Sequence, residues 1–123
     1  MTTVKAHMQA NIKREVTKIY KQEIGKGPEQ TEVYIHDRFV YIKFIGAFSQ
    51  IEESLMVTES GRAIVRRIRE ELTNVQTDYY VPVVEEIVQS KMKKVSYMLD
   101  KEKDIVYVFM LFADIIEQNG GKR

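Results

Sequence analysis

Apolar residues return every three or four positions through much of this 123-residue chain, and the pattern runs longest from about Ser60 to Lys91. Ile64, Ile68, Leu72, Val75, Tyr79, Val83 and Ile87 lie along one side of a 3.6-residue period. That spacing predicts one long amphipathic helix whose apolar stripe packs against everything else. A shorter stripe of Met8, Ile12, Val16, Ile19, Tyr20 and Ile24 predicts a first helix over about Lys5 to Ile24, with Lys13, Arg14, Lys18 and Lys21 on its wet side. Gly25 follows where a left-handed closing residue is wanted. Gly27 and Pro28 come next, and Pro28 forbids continuation.

The period then changes from helical to twofold. Thr31, Val33 and Ile35 alternate with Glu32, Tyr34 and His36, and Val40, Ile42 and Phe44 alternate with Phe39, Tyr41, Lys43 and Ile45. With the polar joint His36-Asp37-Arg38 between them, these runs predict a β-hairpin. One face is apolar throughout. The other is dominated by Tyr34, Phe39 and Tyr41, and aromatic residues on a face expected to be wet mark a candidate interface.

Ser49-Gln50-Ile51-Glu52 matches the capping box, in which hydroxyl and carboxylate each satisfy a free amide of the first turn. A short helix is expected there, with Ile51, Leu55 and Met56 on its buried side. Gly61 either separates it from the long helix or weakens the join by about 1 kcal/mol. Pro82 deletes an amide donor inside the long helix, and the apolar residues after it centre about 100° away from those before it. A kink near Asp78 to Pro82 is favoured over a break, with the two halves facing different neighbours. Lys94 to Leu99 and Asp104 to Phe112 predict a second hairpin around Asp100-Lys101-Glu102-Lys103. Because Ile105 to Phe112 is apolar on both faces, that strand is expected to be covered on both sides. Ala113 to Gln118 either extends it or makes a turn of helix, and Asn119 to Arg123 reads as a tail. The predicted architecture is α+β in the order αββ-αα-ββ. It is a single domain over residues 1–123, with an ordered core of about 5–118: an antiparallel sheet of two hairpins with helices packed on one face.

Composition narrows the function more than it names it. Hydrophobic and charged fractions of 44% and 30% fit a globular domain, and a net charge of +1 argues against bulk nucleic acid as a partner. Residues 1–28 carry six Lys/Arg against two acids and residues 29–61 two against six, which reads as complementary packing or a charged surface. With no cysteine there is no disulfide, thiolate metal site or thiol nucleophile. Met1 to Ala10 has no apolar signal core, and the longest apolar run, Ile105 to Ala113, is about half of a membrane-spanning helix. A cytoplasmic protein without direct membrane insertion is the expectation.

The candidate chemistry is sparse. His7 and His36 read as solvated, and His36 beside Asp37 cannot form a base and its orienter, since neighbours in a strand point to opposite faces. No ligand set suggests a metal or cofactor. The adjacent pairs Glu52-Glu53, Glu70-Glu71 and Glu85-Glu86 splay around their helices and read as solvated faces. Gly25-Lys26-Gly27-Pro28 could cradle an anion, but it closes a helix instead of opening one, so the favourable dipole end is absent. Arg62, Arg66 and Arg69 share a stripe of the long helix. Arg66 and Arg67 have acids four residues on, whereas Arg62 and Arg69 have none and read as the least committed charges. Lys26, Arg62, Arg66 and Arg69 are therefore the candidates for contacting an anion or a partner.

Several pieces together resemble the MpsC-like family of small bacterial proteins. They are the Gly25-Lys26-Gly27-Pro28 closure, the strand Thr31 to His36 with Asp37 at its turn, Phe48-Ser49 with Glu52 and Leu55, and a helix bearing Gly61, Val65 and Arg66. The likeness covers about residues 8 to 112; Pro82 and the charged turn Asp100 to Asp104 fall outside the shared pattern. It implies association with a cation-translocating, membrane-potential-generating system linked to inorganic-carbon uptake, and no catalytic residues. The expected function is a non-enzymatic accessory or regulatory interaction module, a homodimer and a possible subunit of a membrane transport complex. The alternatives are a small-anion or nucleotide sensor and a structural homo-oligomer.

Overall fold

The computed structural model describes residues 3–100 and 102–116. Its elements are α1 (Val4–Ile24), β1 (Gln30–His36), β2 (Phe39–Ile45), α2 (Gln50–Leu55), α3 (Glu59–Val88), β3 (Met92–Asp100) and β4 (Ile105–Phe112). Thr3 caps α1 by accepting from the Ala6 amide, and Gly25 closes it at φ 88°, donating its N–H to the Lys21 carbonyl. Met8, Ile12, Val16 and Tyr20 form its buried side, as the spacing predicts.

The four strands form one antiparallel sheet in the order β1-β2-β4-β3, so the β2–β4 pairing joins the two hairpins at the centre. Val33, Ile35, Val40, Ile42, Phe44, Val106, Val108, Met110 and Phe112 line the covered face and share a core with Met8, Ile12, Val16 and Tyr20 of α1 and Tyr80, Val84 and Val88 of α3. β4 departs from expectation. Only one of its faces is covered; Ile105, Tyr107, Phe109 and Leu111 stay half-buried on the other. A central strand shielded by β2 and β3 on its edges tolerates apolar residues on both faces without a second layer of helices.

The larger correction concerns α3. Its buried residues are Gly61, Val65, Arg69, Gln76, Tyr80, Val84 and Val88. Ile64, Ile68, Val75 and Tyr79, expected in the core, are between 38% and 50% exposed. Each lies one position, or about 100°, before a buried residue. Apolar periodicity selects the wrong stripe because the true one is interrupted by Arg69 and Gln76.

Nor does α3 break or re-aim its halves at Pro82: the helix is continuous, and its buried positions proceed through the proline at 76, 80, 84 and 88. Pro82 and Asp78 are both exposed, so water can take the place of the donor that the Asp78 carbonyl loses. The α2–α3 junction falls at Met56 to Thr58, before Gly61. A Cβ on Gly61 would sit 1.8 Å from the Leu55 carbonyl oxygen; the glycine is what lets α2 end against the first turn of α3.

After β4 the chain is stitched back to the first hairpin, where the Ile116 amide donates to the Asp37 carbonyl (2.9 Å) and the Ile116 side chain is fully buried. Residues 117–118 of the expected 113–118 segment and the tail at 119–123 lie outside the described residues.

Candidate functional site

The uncovered face of the sheet forms a grid set by strand register. One row reads His36, Phe39, Leu111, Lys94, and the next Tyr34, Tyr41, Phe109, Ser96. Below them come Glu32, Lys43, Tyr107, Met98, and then Gln30, Ile45, Ile105, Asp100. Paired residues of antiparallel strands share a face, so these side chains project together. Phe39 stacks on Tyr41 (ring centroids 5.7 Å apart), Tyr41 meets Phe109 edge-on (5.5 Å) and Phe109 stacks on Tyr107 (6.2 Å). The result is a continuous aromatic band across the two central strands.

Its polar fittings are local. The Lys43 ammonium lies 5.8 Å from the Tyr107 ring centroid and 3.5 Å from the Glu32 carboxylate. Glu32 also accepts from the Tyr34 hydroxyl (3.0 Å), and that hydrogen bond is the main cause raising the Tyr34 pKa. Tyr34 and Met98 remain about half exposed. Four strands about 4.8 Å apart and about seven residues long span roughly 450 Å². The aromatic band takes up the centre of that area, and Gln30, Glu32, His36, Lys94, Ser96 and Asp100 on β1 and β3 give it a polar rim. Tyr34, Phe39 and Tyr41 were legible as an aromatic face. Tyr107, Phe109 and Leu111 complete it; their signal was the apolar second face of β4, read as covered.

The four basic candidates do not form one site: Arg66 and Arg69 border a common cleft, while Lys26 and Arg62 bond elsewhere. Arg69 is 4% exposed and is the most committed charge described, not the least. Its Nε and Nη2 donate to both carboxylate oxygens of Glu52 (2.6 and 2.5 Å), Nη2 also donates to the Ala47 carbonyl (2.7 Å), and Nη1 donates to the Tyr20 hydroxyl (2.6 Å). Tyr20 in turn donates to the Ala47 carbonyl at 2.5 Å. The guanidinium lies over the rings of Tyr20 and Phe48 as well, at 5.7 and 5.5 Å. Glu52, expected beside Glu53 on a solvated face, is buried; the capping box on Ser49 holds it at the start of α2, aimed at α3. Glu85 departs similarly: half-buried, it accepts from the Met92 amide that opens β3.

Burial alone works against the Arg69 charge, yet hydrogen bonds and attraction from Glu52 and Tyr20 hold its pKa above the ordinary arginine value. Burial pushes the Tyr20 phenol up to about 12, with Arg69 pulling the other way. Asp104, at φ 53°, fastens the same region by accepting from the Ala47 and Phe48 amides at 2.9 Å; burial raises its pKa against those hydrogen bonds. The arrangement is a structural lock joining α1, α2, α3 and the β2–α2 connection. No local spacing signals it, since Arg69 is 17 residues from Glu52 and 49 from Tyr20.

Of the others, Arg62 donates to the Met56 carbonyl (3.0 Å), and Lys26 donates to the Phe48 carbonyl (3.3 Å) while lying 4.0 Å from Glu53. Arg66 lines a cleft of about 310 Å³ with Arg69, Glu70, Tyr97 and Leu99. Deeper between α3 and the β3–β4 hairpin, Gln76 Nε2 and the Tyr80 hydroxyl have no protein partner among the described residues and border a cavity of about 20 Å³, room for about one water. Burial raises the Tyr80 pKa strongly. Among the described residues no three His, Asp or Glu side chains are grouped to hold a metal ion, and no helix is long and apolar enough to cross a membrane.

Fold and surface together define a small α+β domain with one sheet face packed on helices and the other left aromatic and open. Residues 4–114 match the family described as MpsC: Na+-translocating membrane potential-generating system (MpsC). That match spans nearly the whole chain, and the chain belongs to this family. Neither the curated proteins nor the solved structures contain a match.

Proposed function

We propose that this chain is a non-enzymatic accessory or regulatory subunit of a Na+-translocating, membrane-potential-generating system, acting from the cytoplasm through contacts with other chains. Family membership supports the association with such a system. The observation that carries the interaction role is the band of Phe39, Tyr41, Tyr107 and Phe109, aromatic surface on the sheet face that no helix covers and half-buried in the isolated chain. Coupling to inorganic-carbon uptake would follow from the membrane potential such a system maintains. The geometry favours anion or nucleotide sensing less, because Glu52 neutralises Arg69, Arg66 shares its cleft with the acidic Glu70, and Lys26 and Arg62 bond to carbonyls elsewhere.

The test is deletion of the coding gene in the native host, with membrane potential followed by a potential-sensitive dye as external Na+ is varied. Loss of the Na+-dependent component is expected, with recovery on supplying the wild-type chain and not a Tyr41→Lys/Phe109→Lys variant. An unchanged Na+ response after deletion would overturn the reading.

A further inference from the structure

We propose that the open sheet face is occupied by the same face of a second copy of this chain, in a face-to-face sandwich whose twofold axis lies in the interface and crosses the strands at their midpoints. This rests on reading that face as a contact surface and adds its occupant and orientation. Charge and ring complementarity along the strand register select this seating.

A twofold axis across the strands stacks each strand on its own copy with direction reversed, about 10 Å away. Row one of the grid then meets row four of the partner copy, and row two meets row three. Lys94 opposes Asp100 at one edge, and by symmetry Asp100 opposes Lys94. Lys43 comes over the copy of Tyr41, and Phe109 faces Tyr107. Leu111 and Phe39 meet Ile105 and Ile45. The β3 edge thus pairs opposite charges at both ends, the central strands meet ring to ring and aliphatic to aliphatic, and at the β1 edge Glu32 comes over Tyr34 and His36 over Gln30.

The other in-plane axis, along the strands, keeps the rows and exchanges the strands. It sets Lys94 against His36, leaves Asp100 against Gln30, and presses the Glu32 carboxylate onto Met98. Lys94 and Asp100 then close without an opposite charge, which disfavours that seating, whereas Glu32 keeps its own Lys43 and Tyr34 in either one. A footprint of roughly 450 Å² per copy, increased by side-chain relief, is at the small end of specific interfaces, so a dissociation constant on the order of micromolar is expected.

The experiment is sedimentation velocity on the full chain over a concentration series at low salt, with circular-dichroism melting as the folding check. Wild type is expected to dimerise. Lys94→Asp is expected to weaken the dimer about tenfold without shifting the melt, and Asp100→Lys to weaken it as much with a small fall in the melting temperature, because Asp100 also accepts from the Lys103 amide. The Lys94→Asp/Asp100→Lys double variant is expected to return within about threefold of wild type. An equimolar mixture of the two single variants should form a heterodimer, since both edge pairs are then opposite in sign. A wild-type chain that is monomeric at every concentration overturns the proposal. So does a dimer indifferent to both charge reversals, or one that only Tyr41→Lys disrupts, since either would place the second copy elsewhere or differently. A monomeric chain leaves the Na+ response of the deletion strain untouched, and an unresponsive deletion strain leaves the sedimentation result standing, so the two readings fail separately.

Discussion

Helix α3 carries two stripes about 100° apart, and they contradict the usual assignment of apolar residues to the inside. The exposed stripe bears Ile64, Ile68, Val75 and Tyr79, whereas the buried stripe includes Gly61, Arg69 and Gln76 among its valines and Tyr80. Burial in α3 follows what each position meets. Position 61 meets a backbone carbonyl and admits no side chain, and position 69 meets Glu52, Tyr20 and Ala47, which together satisfy four guanidinium hydrogen bonds. A charge can be buried when its partners are preassembled, and the Ser49 capping box preassembles Glu52.

The sharpest way to break this contrast is to orphan the buried charge. Glu52→Gln should cost about 3 to 5 kcal/mol in urea unfolding, because Arg69 then keeps its desolvation and loses its counter-charge. Adding Arg69→Met to that variant should recover much of the loss; a double variant no better than the single would show that the ion pair is not what Glu52 supplies.

Alkaline titration probes the same lock from Tyr20. An unfolded tyrosine loses its proton near pH 10, but the folded Tyr20 phenol does so only near 12. Above about pH 10 the unfolded state binds fewer protons than the folded one, so stability falls as pH rises from 10 toward 12, by up to about 2 to 3 kcal/mol. Tyr20→Phe should flatten that slope measurably in chemical denaturation at pH 9 to 11, leaving the part due to Tyr80, whose pKa is also raised.

The two stripes can then be compared residue for residue. Val65→Ala should cost about 2 kcal/mol, whereas its neighbour Ile64→Ala should stay within about 0.5 kcal/mol despite removing the larger side chain. Equal losses in thermal unfolding would mean that Ile64 is covered in solution, and would place a partner on the outer stripe of α3.

Much of the local structure was legible in the chain. Gly25 closes α1 because only a residue at ease with positive φ fits there, and Ser49 and Glu52 mark the start of α2 through a four-residue pattern. The hairpins follow from twofold alternation, which also separated Tyr34, Phe39 and Tyr41 from the core face. The faces of α3 were not legible. Ile64-Val65, Tyr79-Tyr80, Val83-Val84 and Ile87-Val88 are apolar pairs, so two neighbouring stripes compete, and the polar side chains at 69 and 76 tip periodicity toward the outer one. The expectation that the halves either side of Pro82 face different neighbours failed for a related reason: positions 76, 80, 84 and 88 keep one buried face through the proline, which apolar spacing does not encode.

By itself the sequence determined the number, type and approximate bounds of the elements, the capping signals and one aromatic strand face, because each depends on residues within a few positions of one another. Only the tertiary structure decided that β4 lies beside β2, completing the aromatic band with Tyr107 and Phe109, and that Arg69 turns inward to Glu52. Those outcomes depend on groups 17 to 68 residues apart being brought within hydrogen-bonding or packing distance, and on the free energy of the whole arrangement being lower than that of any stripe taken alone.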